Sequence, residues 1–259
     1  MEGEARIQSV ARALTIIDTM AEAGGELALN EISGRLGLAK TTVHGLISTL
    51  KVFGYVQQSS FNGKYRLGVR LFEVGNIVSN GWEVRVVAVP YIQKLVEEMG
   101  ETVHLAMLDK QEVLYIDKRE SSGSLRIVSQ VGMRLPAHCT GVGKVLMAHL
   151  APEERRQIVE LKGLQRYTRN TITDPAALEA ELERVKKQGY AVDNEEIMDS
   201  LRCVAAPIRD QGGNVVSAVS ISGPISRMQG ARFQKALDLC VATAHEISAD
   251  LGYRKNASR

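Results

Sequence analysis

The sequence predicts an α+β protein with a small helical part at the N-terminus and a larger, sheet-containing part behind it. Three observations support this class. Apolar residues recur at helical spacing over the first 52 residues, paired β-prone runs separated by short turns recur from residue 55 onward, and polar or glycine-containing turns join most consecutive runs. Consecutive strands with short turns pair antiparallel. A chain of 259 residues, 44% of them hydrophobic, is long enough for one small and one medium domain.

Three helices are predicted in the N-terminal part. The first ends near Gly24 and carries its apolar residues on one face, namely Val10, Leu14, Ile17 and Met20. This face packs either on the other helices or on a second copy of the chain. The second helix follows Asn30, a good N-cap residue, and ends at Gly37. The third runs from about residue 40 to 52 and buries Val43, Leu46, Ile47 and Leu50.

A β-hairpin follows these helices. Residues 55–58 and 64–67 are β-prone, and Asn62-Gly63 between them is typical of a hairpin tip. Helix, short glycine-containing turn and helix have the spacing of a helix-turn-helix, so we interpret the hairpin as its wing. The sequence therefore predicts a winged helix-turn-helix that binds double-stranded DNA.

The rest of the chain predicts a linker helix and an antiparallel sheet with helices packed on it. The linker helix begins at residue 68 and continues after Gly81 towards Pro90. The predicted helices behind it are 91–99, 143–150, 174–188 and 231–251, and the predicted strands are 102–108, 112–116, 125–130, 190–193, 203–209 and 215–222. We expect a DNA-binding domain at 1–70, a linker helix at 71–89 and a sensor domain at 90–259.

Charge is distributed unevenly along the chain. The net charge is +2, yet residues 31–70 contain six cations against one acid, whereas residues 1–30 have a net charge of −3. A confined positive segment suits contact with phosphates, although an ordinary solvated face would look the same. The longest apolar runs are too short for a membrane helix, and Cys139, Cys203 and Cys240 lack disulfide or metal spacing, so we expect a cytoplasmic protein with free thiols and no cofactor.

Several separated strings resemble the IclR family of regulators. They are "LNEISGRLGLAKTTVHGLISTLKVFGYV", "YRLG", "AHCTGVGK", "GYAVDNEE", "CVAAPI" and "SAVSISGP", in the family's order over nearly the whole chain. The resemblance implies a GAF-like effector domain, a homodimer or dimer of dimers, and regulation by a small molecule. Two residues depart from the family pattern: Gly45 stands where Arg is frequent, and Ser200 where Gly is usual.

The candidate DNA contacts lie at the start of the third helix and on the wing. In a helix-turn-helix the N-terminal half of the second helix enters the major groove. The residues there that can reach bases or phosphates are Lys40, Thr41, Thr42 and His44, and the wing adds Lys64 and Arg66. The alternative is that a threonine caps the helix and the lysine is merely solvated.

The candidate effector site is transferred from the resemblance. It implies a polar lining of Asp193, Cys203, Ser220 and Ser222, with backbone amides near Thr140, Gly141 and Val142 facing an anion. Residue spacing is compatible with this, because Ser220 and Ser222 project from the same face of one strand. Hydroxyls, a thiol and amides can hold a carboxylate, and the few aromatic residues after position 90 favour a small aliphatic acid.

Two alternatives from other classes remain open in the sequence. A thiol-dependent hydrolase would use Cys203 or Cys139 with His104 or His138 and Asp193, and a metal-responsive regulator would use the same histidines and cysteines. Both histidines are more typical of core or surface positions than of ligands. Because neither alternative explains the basic helix-turn-helix, we expect a regulator and not an enzyme. The sequence does not identify the operator or the effector, and it does not decide between repression and activation.

Overall fold

The computed structural model describes residues 7–80, 83–120 and 129–254. The chain divides into two compact units, residues 1–81 and 82–259, and the predicted linker at 71–89 falls on both sides of that division. In the described ranges no helix combines the length and apolar character needed to cross a bilayer.

The N-terminal unit has the predicted winged helix-turn-helix order. Three helices precede an antiparallel hairpin, and a further helix follows: α1 (Gln8–Ala23), α2 (Leu29–Leu36), α3 (Lys40–Val52), β1 (Val56–Gln58), β2 (Tyr65–Leu67) and α4 (Val69–Asn80). Gly24 and Gly37 end α1 and α2 in the left-handed conformation, at φ of +63° and +62°. At the hairpin tip Gly63 also has a positive φ, of +70°.

The predicted start of α2 is wrong by two residues. Ala28 is the N-cap, and the Glu31 carboxylate accepts the Ala28 N–H at 2.6 Å. This carboxylate satisfies an amide that would otherwise lack a helical partner, so the helix begins without a capping side chain at its N-cap. Asn30 therefore lies inside the helix.

The small core of this unit uses only part of the predicted α1 face, together with Ile16, which was not assigned to that face. Ile16 and Met20 are buried against α2, α3 and the hairpin. Val10 and Leu14, which the pattern placed on the apolar face, are 54% and 58% exposed. On α3 the predicted core residues are buried except Leu46, which is half-buried. Part of the α1 face is thus left uncovered within the unit.

The C-terminal unit contains a six-stranded antiparallel sheet. Its elements are α5 (Glu83–Met99), β3 (Thr102–Asp109), β4 (Glu112–Arg119), β5 (Arg134–Leu135), α6 (Gly141–Ala148), α7 (Pro152–Lys162), α8 (Pro175–Gln188), β6 (Ala191–Asn194), β7 (Leu201–Arg209), β8 (Val215–Pro224) and α9 (Gly230–Asp250). The strand order is β5-β4-β3-β8-β7-β6. The predicted α+β class with an antiparallel sheet is confirmed.

This unit differs from the sequence prediction at Pro90, at two additional elements and at the end of one strand. Pro90 does not end a helix: α5 runs through it, with Pro90 exposed so that solvent can reach the carbonyl that loses its partner. The short strand β5 and the polar helix α7 were not predicted. Of the predicted strand at 125–130, residues 129–130 are not in a strand and the others lie outside the described residues.

The two faces of the sheet carry two cores. Helices α5 and α9 cover one face, where alternate strand residues such as Val204 and Ala206 are buried. Helices α6 and α8 cover the other, where Ala205 and Ala218 are buried. Because side chains alternate along a strand, the residues next to Val204, among them Cys203, point towards α6. The predicted polar residues therefore lie on the α6 face.

Candidate functional site

The first turn of α3 presents an exposed polar surface. Lys40, Thr41 and His44 are exposed, and Thr42 is half-buried beside the buried Val43. Ala39 is the N-cap and the helix receives no side-chain capping bond, so neither threonine is used as a cap. These hydroxyl and amino groups are free to meet a phosphate or a base edge.

The wing cations are paired with acidic residues of the same unit. Lys64 Nζ lies 4.0 Å from the Glu31 carboxylate, and Arg66 Nη1 lies 3.9 Å from that of Glu26. Glu26 also accepts a hydrogen bond from the Asn62 side chain at 2.8 Å. Such long, exposed pairs contribute little to stability, so both cations can turn to a phosphate at small cost.

All seven residues predicted for the effector site line one cavity of the C-terminal unit. Its volume is about 280 Å³. The predicted residues are Thr140, Gly141, Val142, Asp193, Cys203, Ser220 and Ser222, and those not predicted are His104, Tyr115, Ser129, Met133, Leu135, Ile197, Met198 and Leu201. The seven predicted residues come from four separated segments of the chain, which therefore meet at a mostly apolar pocket with a few polar groups.

Strand register explains why the polar residues converge. Asp193 on β6 is opposite Cys203 on β7, and Cys203 is opposite Ser222 on β8. Two residues before Ser222 on β8, Ser220 is opposite His104 on β3. Directly opposed residues project from the same face of an antiparallel sheet, so two adjacent cross-strand rows carry these side chains. This register cannot be read from any one strand.

Helix α6 directs its N-terminus at the cavity. The amides of Gly141 and Val142 lie in the first turn, where an α-helix offers them no intrahelical acceptor. The N-cap Thr140 Oγ1 accepts the Gly143 N–H at 3.2 Å and donates to Pro136 O at 3.0 Å. A Cβ at Gly143 would lie 2.3 Å from the Ala137 carbonyl, so that tight turn requires glycine. Free amides and the helix dipole favour an anion here.

His104 is a cavity residue that the sequence did not assign to the site. It is buried, its ring stacks on Tyr115 with centroids 4.5 Å apart, and its Nε2 lies 2.8 Å from Ser129 Oγ. Its Nδ1 lies 3.5 Å from Ser222 Oγ. Burial and the nearby Lys118 charge lower the pKa of His104 to about 3, so the ring is neutral. The signal that would have assigned His104 to the site is strand register, because His104 on β3 is opposite Ser220 on β8.

Burial also raises the pKa of two ionisable groups on β6 and β7, Asp193 and Cys203. Burial raises the pKa of Asp193 to about 7, against the hydrogen bond that its carboxylate accepts from the Glu196 N–H at 2.7 Å. Burial raises the pKa of the Cys203 thiol well above its ordinary value, and the nearby Asp193 charge acts in the same direction. A thiol of this kind is a poor nucleophile, because the thiolate is the reactive form.

A buried ion cluster lies next to Asp193 and contacts the residues on either side of it. Lys144 on α6 is 1% exposed, and its ammonium donates to the carboxylates of Glu196 and Glu181 and to Val192 O. The Lys144 to Glu181 distance is 3.3 Å and the distance to Val192 O is 2.7 Å. Thus all three donors of the ammonium have partners on α8, β6 and the loop after β6.

Family comparisons match both units. An IclR helix-turn-helix domain matches residues 9–60, and the family described as bacterial transcriptional regulator IclR C-terminal matches residues 77–249. The chain belongs to the IclR family of transcriptional regulators. The HTH-type transcriptional regulator XynR of Escherichia coli is 38% identical over 247 residues, which cover 95% of this chain and 98% of XynR.

Solved structures agree with this assignment. The Thermotoga maritima IclR structure superposes with a TM-score of 0.81 at 32% identity, covering 96% of this chain and 100% of that one. An IclR homologue from Microbacterium hydrocarbonoxydans, crystallised in complex with 4-hydroxybenzoate, has a TM-score of 0.86 at 28% identity, with 94% and 99% coverage.

Membership in the IclR family decides between the functional classes. The chain is a DNA-binding regulator and not an enzyme, so the thiol-dependent hydrolase hypothesis is wrong. For the metal-responsive alternative, the described residues contain no group of three or more His, Cys, Asp or Glu side chains arranged to hold a metal ion.

Ser200, where the family usually has Gly, lies in a turn that hydrogen bonds of its backbone groups hold in place. Ser200 adopts a φ of +62°, in the left-handed region that favours glycine. Its N–H donates to the Glu195 carboxylate at 2.8 Å, and its carbonyl accepts the Ile225 N–H at 2.8 Å. These bonds hold the loop that contributes Ile197 and Met198 to the cavity.

Proposed function

We propose that this IclR-family regulator binds operator DNA through α3 and the wing, and that a small carboxylate held in the C-terminal cavity controls this binding. Contacts to DNA come from Lys40, Thr41, Thr42 and His44, with Lys64 and Arg66 on the adjacent backbone. The exposed first turn of α3 and the weak pairing of the wing cations support this interface. Gly45, exposed on α3, contributes no side chain to it.

A salt titration of operator binding tests the DNA interface. Lys40→Ala should lower the slope of log affinity against log salt by about one unit, because one phosphate contact is lost. Lys94→Ala is the matched control, since Lys94 is exposed on α5 of the other unit. An unchanged slope for Lys40→Ala would remove this residue from the interface.

The observation that carries the effector proposal is the convergence of all seven transferred residues on one 280 Å³ cavity. Ser220, Ser222 and Cys203 offer side-chain donors, and the first turn of α6 offers amides. Together they present donors to a carboxylate, while the apolar lining accommodates a short carbon skeleton.

Ligand binding to serine variants tests this site. A thermal-shift screen of lactate, pyruvate, malonate and 4-hydroxybenzoate on the full chain identifies a binding acid, because a ligand of the native state raises its apparent stability. Ser222→Ala should then weaken binding by roughly ten- to a hundredfold while operator affinity without ligand stays unchanged. Ser226→Ala, an exposed serine just after β8, is the control. Equal binding by both variants would contradict the proposed site.

The regulator acts as a homodimer or a dimer of dimers on a near-palindromic operator. The uncovered part of α1, with Val10 and Leu14, joins half-buried Ile17 and Leu46 in an apolar groove that suits a second copy of the chain. Leu14→Glu should therefore give monomers in light scattering at micromolar concentration. Leu161→Glu, 68% exposed on α7, should leave the dimer intact. A monomeric wild type, with and without DNA, would overturn the proposal.

A further inference from the structure

The cavity places a carboxyl group where the proposed ligand carboxylate has to bind. Asp193 is 1% exposed and is among the lining residues. A sphere of 280 Å³ is only about 8 Å across, so a bound anion lies close to Asp193, and two negative charges at such a distance repel strongly in a buried site.

Cations do not offset this repulsion among the described lining residues. They include neither lysine nor arginine, and His104 is neutral. Lys144 is the cation that faces Asp193 from α6, but its donors are taken by Glu196, Glu181 and Val192 O. Arg184 also pairs with Glu181 at 2.7 Å, so the two carboxylates and two cations of that cluster balance one another and supply no net positive charge to a ligand.

The other groups that face Asp193 are uncharged. Cys139 precedes α6, Cys203 lies on β7 and Tyr115 on β4, and burial raises the pKa of all three. Glu196, on the loop after β6, faces Asp193 with its N–H, and its carboxylate is paired with Lys144. Lys118, whose ammonium donates to Ser129 O at the cavity wall at 2.7 Å, is paired with the Glu120 carboxylate at 3.0 Å, so its charge is already balanced. None of these described neighbours therefore compensates both an ionised Asp193 and a ligand anion.

We infer that the cavity binds its carboxylate ligand together with one proton, which Asp193 holds. This inference rests on the proposed effector function of the cavity. One Asp193 oxygen accepts the Glu196 N–H at 2.7 Å, so the other carries the proton and donates to the ligand. The proton comes from solvent and no covalent bond of the ligand changes.

The pH dependence of affinity follows from this arrangement. A pKa near 7 for free Asp193 means that the group is mostly protonated at pH 6 and mostly ionised at pH 8. Binding at pH 8 must therefore take up a proton, and affinity should fall by about tenfold between pH 6 and pH 8. Asp193→Asn mimics the protonated acid, because its amide oxygen can accept the Glu196 N–H while its amino group donates to the ligand.

Calorimetry on the full chain tests the inference with the four acids named above as probes. Wild type should bind the best acid about tenfold more weakly at pH 8 than at pH 6. In buffers of different ionisation enthalpy it should take up about one proton per ligand at pH 8. Asp193→Asn should bind with nearly the same affinity at both pH values, and Asp238→Asn, exposed on α9, should behave as wild type.

The outcomes separate this inference from the function on which it rests. Binding of wild type that is equal at pH 6 and pH 8 without proton uptake overturns the inference and leaves the effector site standing. A pH dependence that persists in Asp193→Asn overturns the assignment of the proton to Asp193. If none of the acids binds at either pH, the proposed carboxylate effector fails and the inference fails with it.

Discussion

Replacing Lys144 by methionine should destabilise the C-terminal unit by about 3 to 5 kcal/mol, since removing one partner of a buried ion pair strands the other. Lys144 is 1% exposed, and the side chain of its partner Glu196 is 8% exposed. Glu181 is less affected, because Arg184 also pairs with it at 2.7 Å. Glu196 has no second cation among its described contacts, and its Oε2 already lacks a hydrogen-bond partner there. The stranded charge is therefore that of Glu196.

A double variant checks this assignment. Lys144→Met/Glu196→Gln removes the stranded charge and should recover about half of the loss, roughly 2 kcal/mol. The single variant should also lose less stability at pH 5 than at pH 8, because burial already raises the pKa of Glu196 and the carboxyl can protonate at the lower pH. Lys94→Met is the matched control, since its pair with Glu98 is exposed and long at 3.9 Å.

Thermal unfolding followed by circular dichroism measures these changes. For a unit of this size, 3 to 5 kcal/mol corresponds to a Tm shift of roughly 6 to 20 °C. Lys94→Met should shift Tm by less than about 2 °C. A loss below about 1 kcal/mol for Lys144→Met would refute the role assigned to the buried cluster. A double variant as unstable as the single one would show that Glu196 is not the stranded partner.

Five further variants at four positions test local features. Gly143→Ala should cost several kcal/mol in urea unfolding because its Cβ would lie 2.3 Å from a carbonyl oxygen, whereas Gly45→Ala, with open space around it, should stabilise α3 by about 0.5 to 1 kcal/mol. Ser200→Gly should change the free energy of unfolding by less than about 0.5 kcal/mol, because the backbone strain relieved at φ +62° offsets the greater conformational entropy of the unfolded chain. Ser200→Val should lower the free energy of unfolding by more than about 1 kcal/mol. The pKa of His104 in the folded chain lies below its unfolded value of 6.5, so the free energy of unfolding that depends on the neutral ring is fully present above pH 6.5 and falls by about 1.4 kcal/mol per pH unit towards pH 3. His104→Phe should therefore reduce the loss of stability between pH 6.5 and pH 3. An unchanged loss would contradict the assignment.

Local signals predicted most of the helices and strands correctly. Gly24, Gly37 and Gly189 end helices in the left-handed conformation, and each follows an apolar repeat that the sequence displays. Helix α7 lacks such a repeat. Its buried Arg155 is held by Glu179 and Glu183 of α8 at 2.5 and 2.7 Å, so the contacts that bury it belong to another element. Proline at the first position of α7 and a Glu154 bond to the Ala151 N–H were its local signals.

The cavity required information of a different kind. The residues transferred from the family resemblance all reach it, but their convergence depends on the register of four strands and the position of α6. His104 illustrates the difficulty. As a lone histidine on an apolar strand it is typical of a core position, and its place in the site follows from its pairing with Ser220 across β3 and β8. Register is a tertiary property, so composition and periodicity do not contain it.

The two buried ionisable residues near α6 show how partners decide between structural and functional roles. Lys144 and Asp193 are each 1% exposed, and both occur in strings shared with the family. Lys144 has three acceptors, so its charge is compensated and it connects α6, α8 and the loop after β6. Asp193 accepts the Glu196 N–H and has no direct ion pair among the described residues, and burial raises its pKa to about 7. A compensated buried charge stabilises the fold, whereas an uncompensated one at a cavity wall remains able to exchange a proton when a ligand anion arrives.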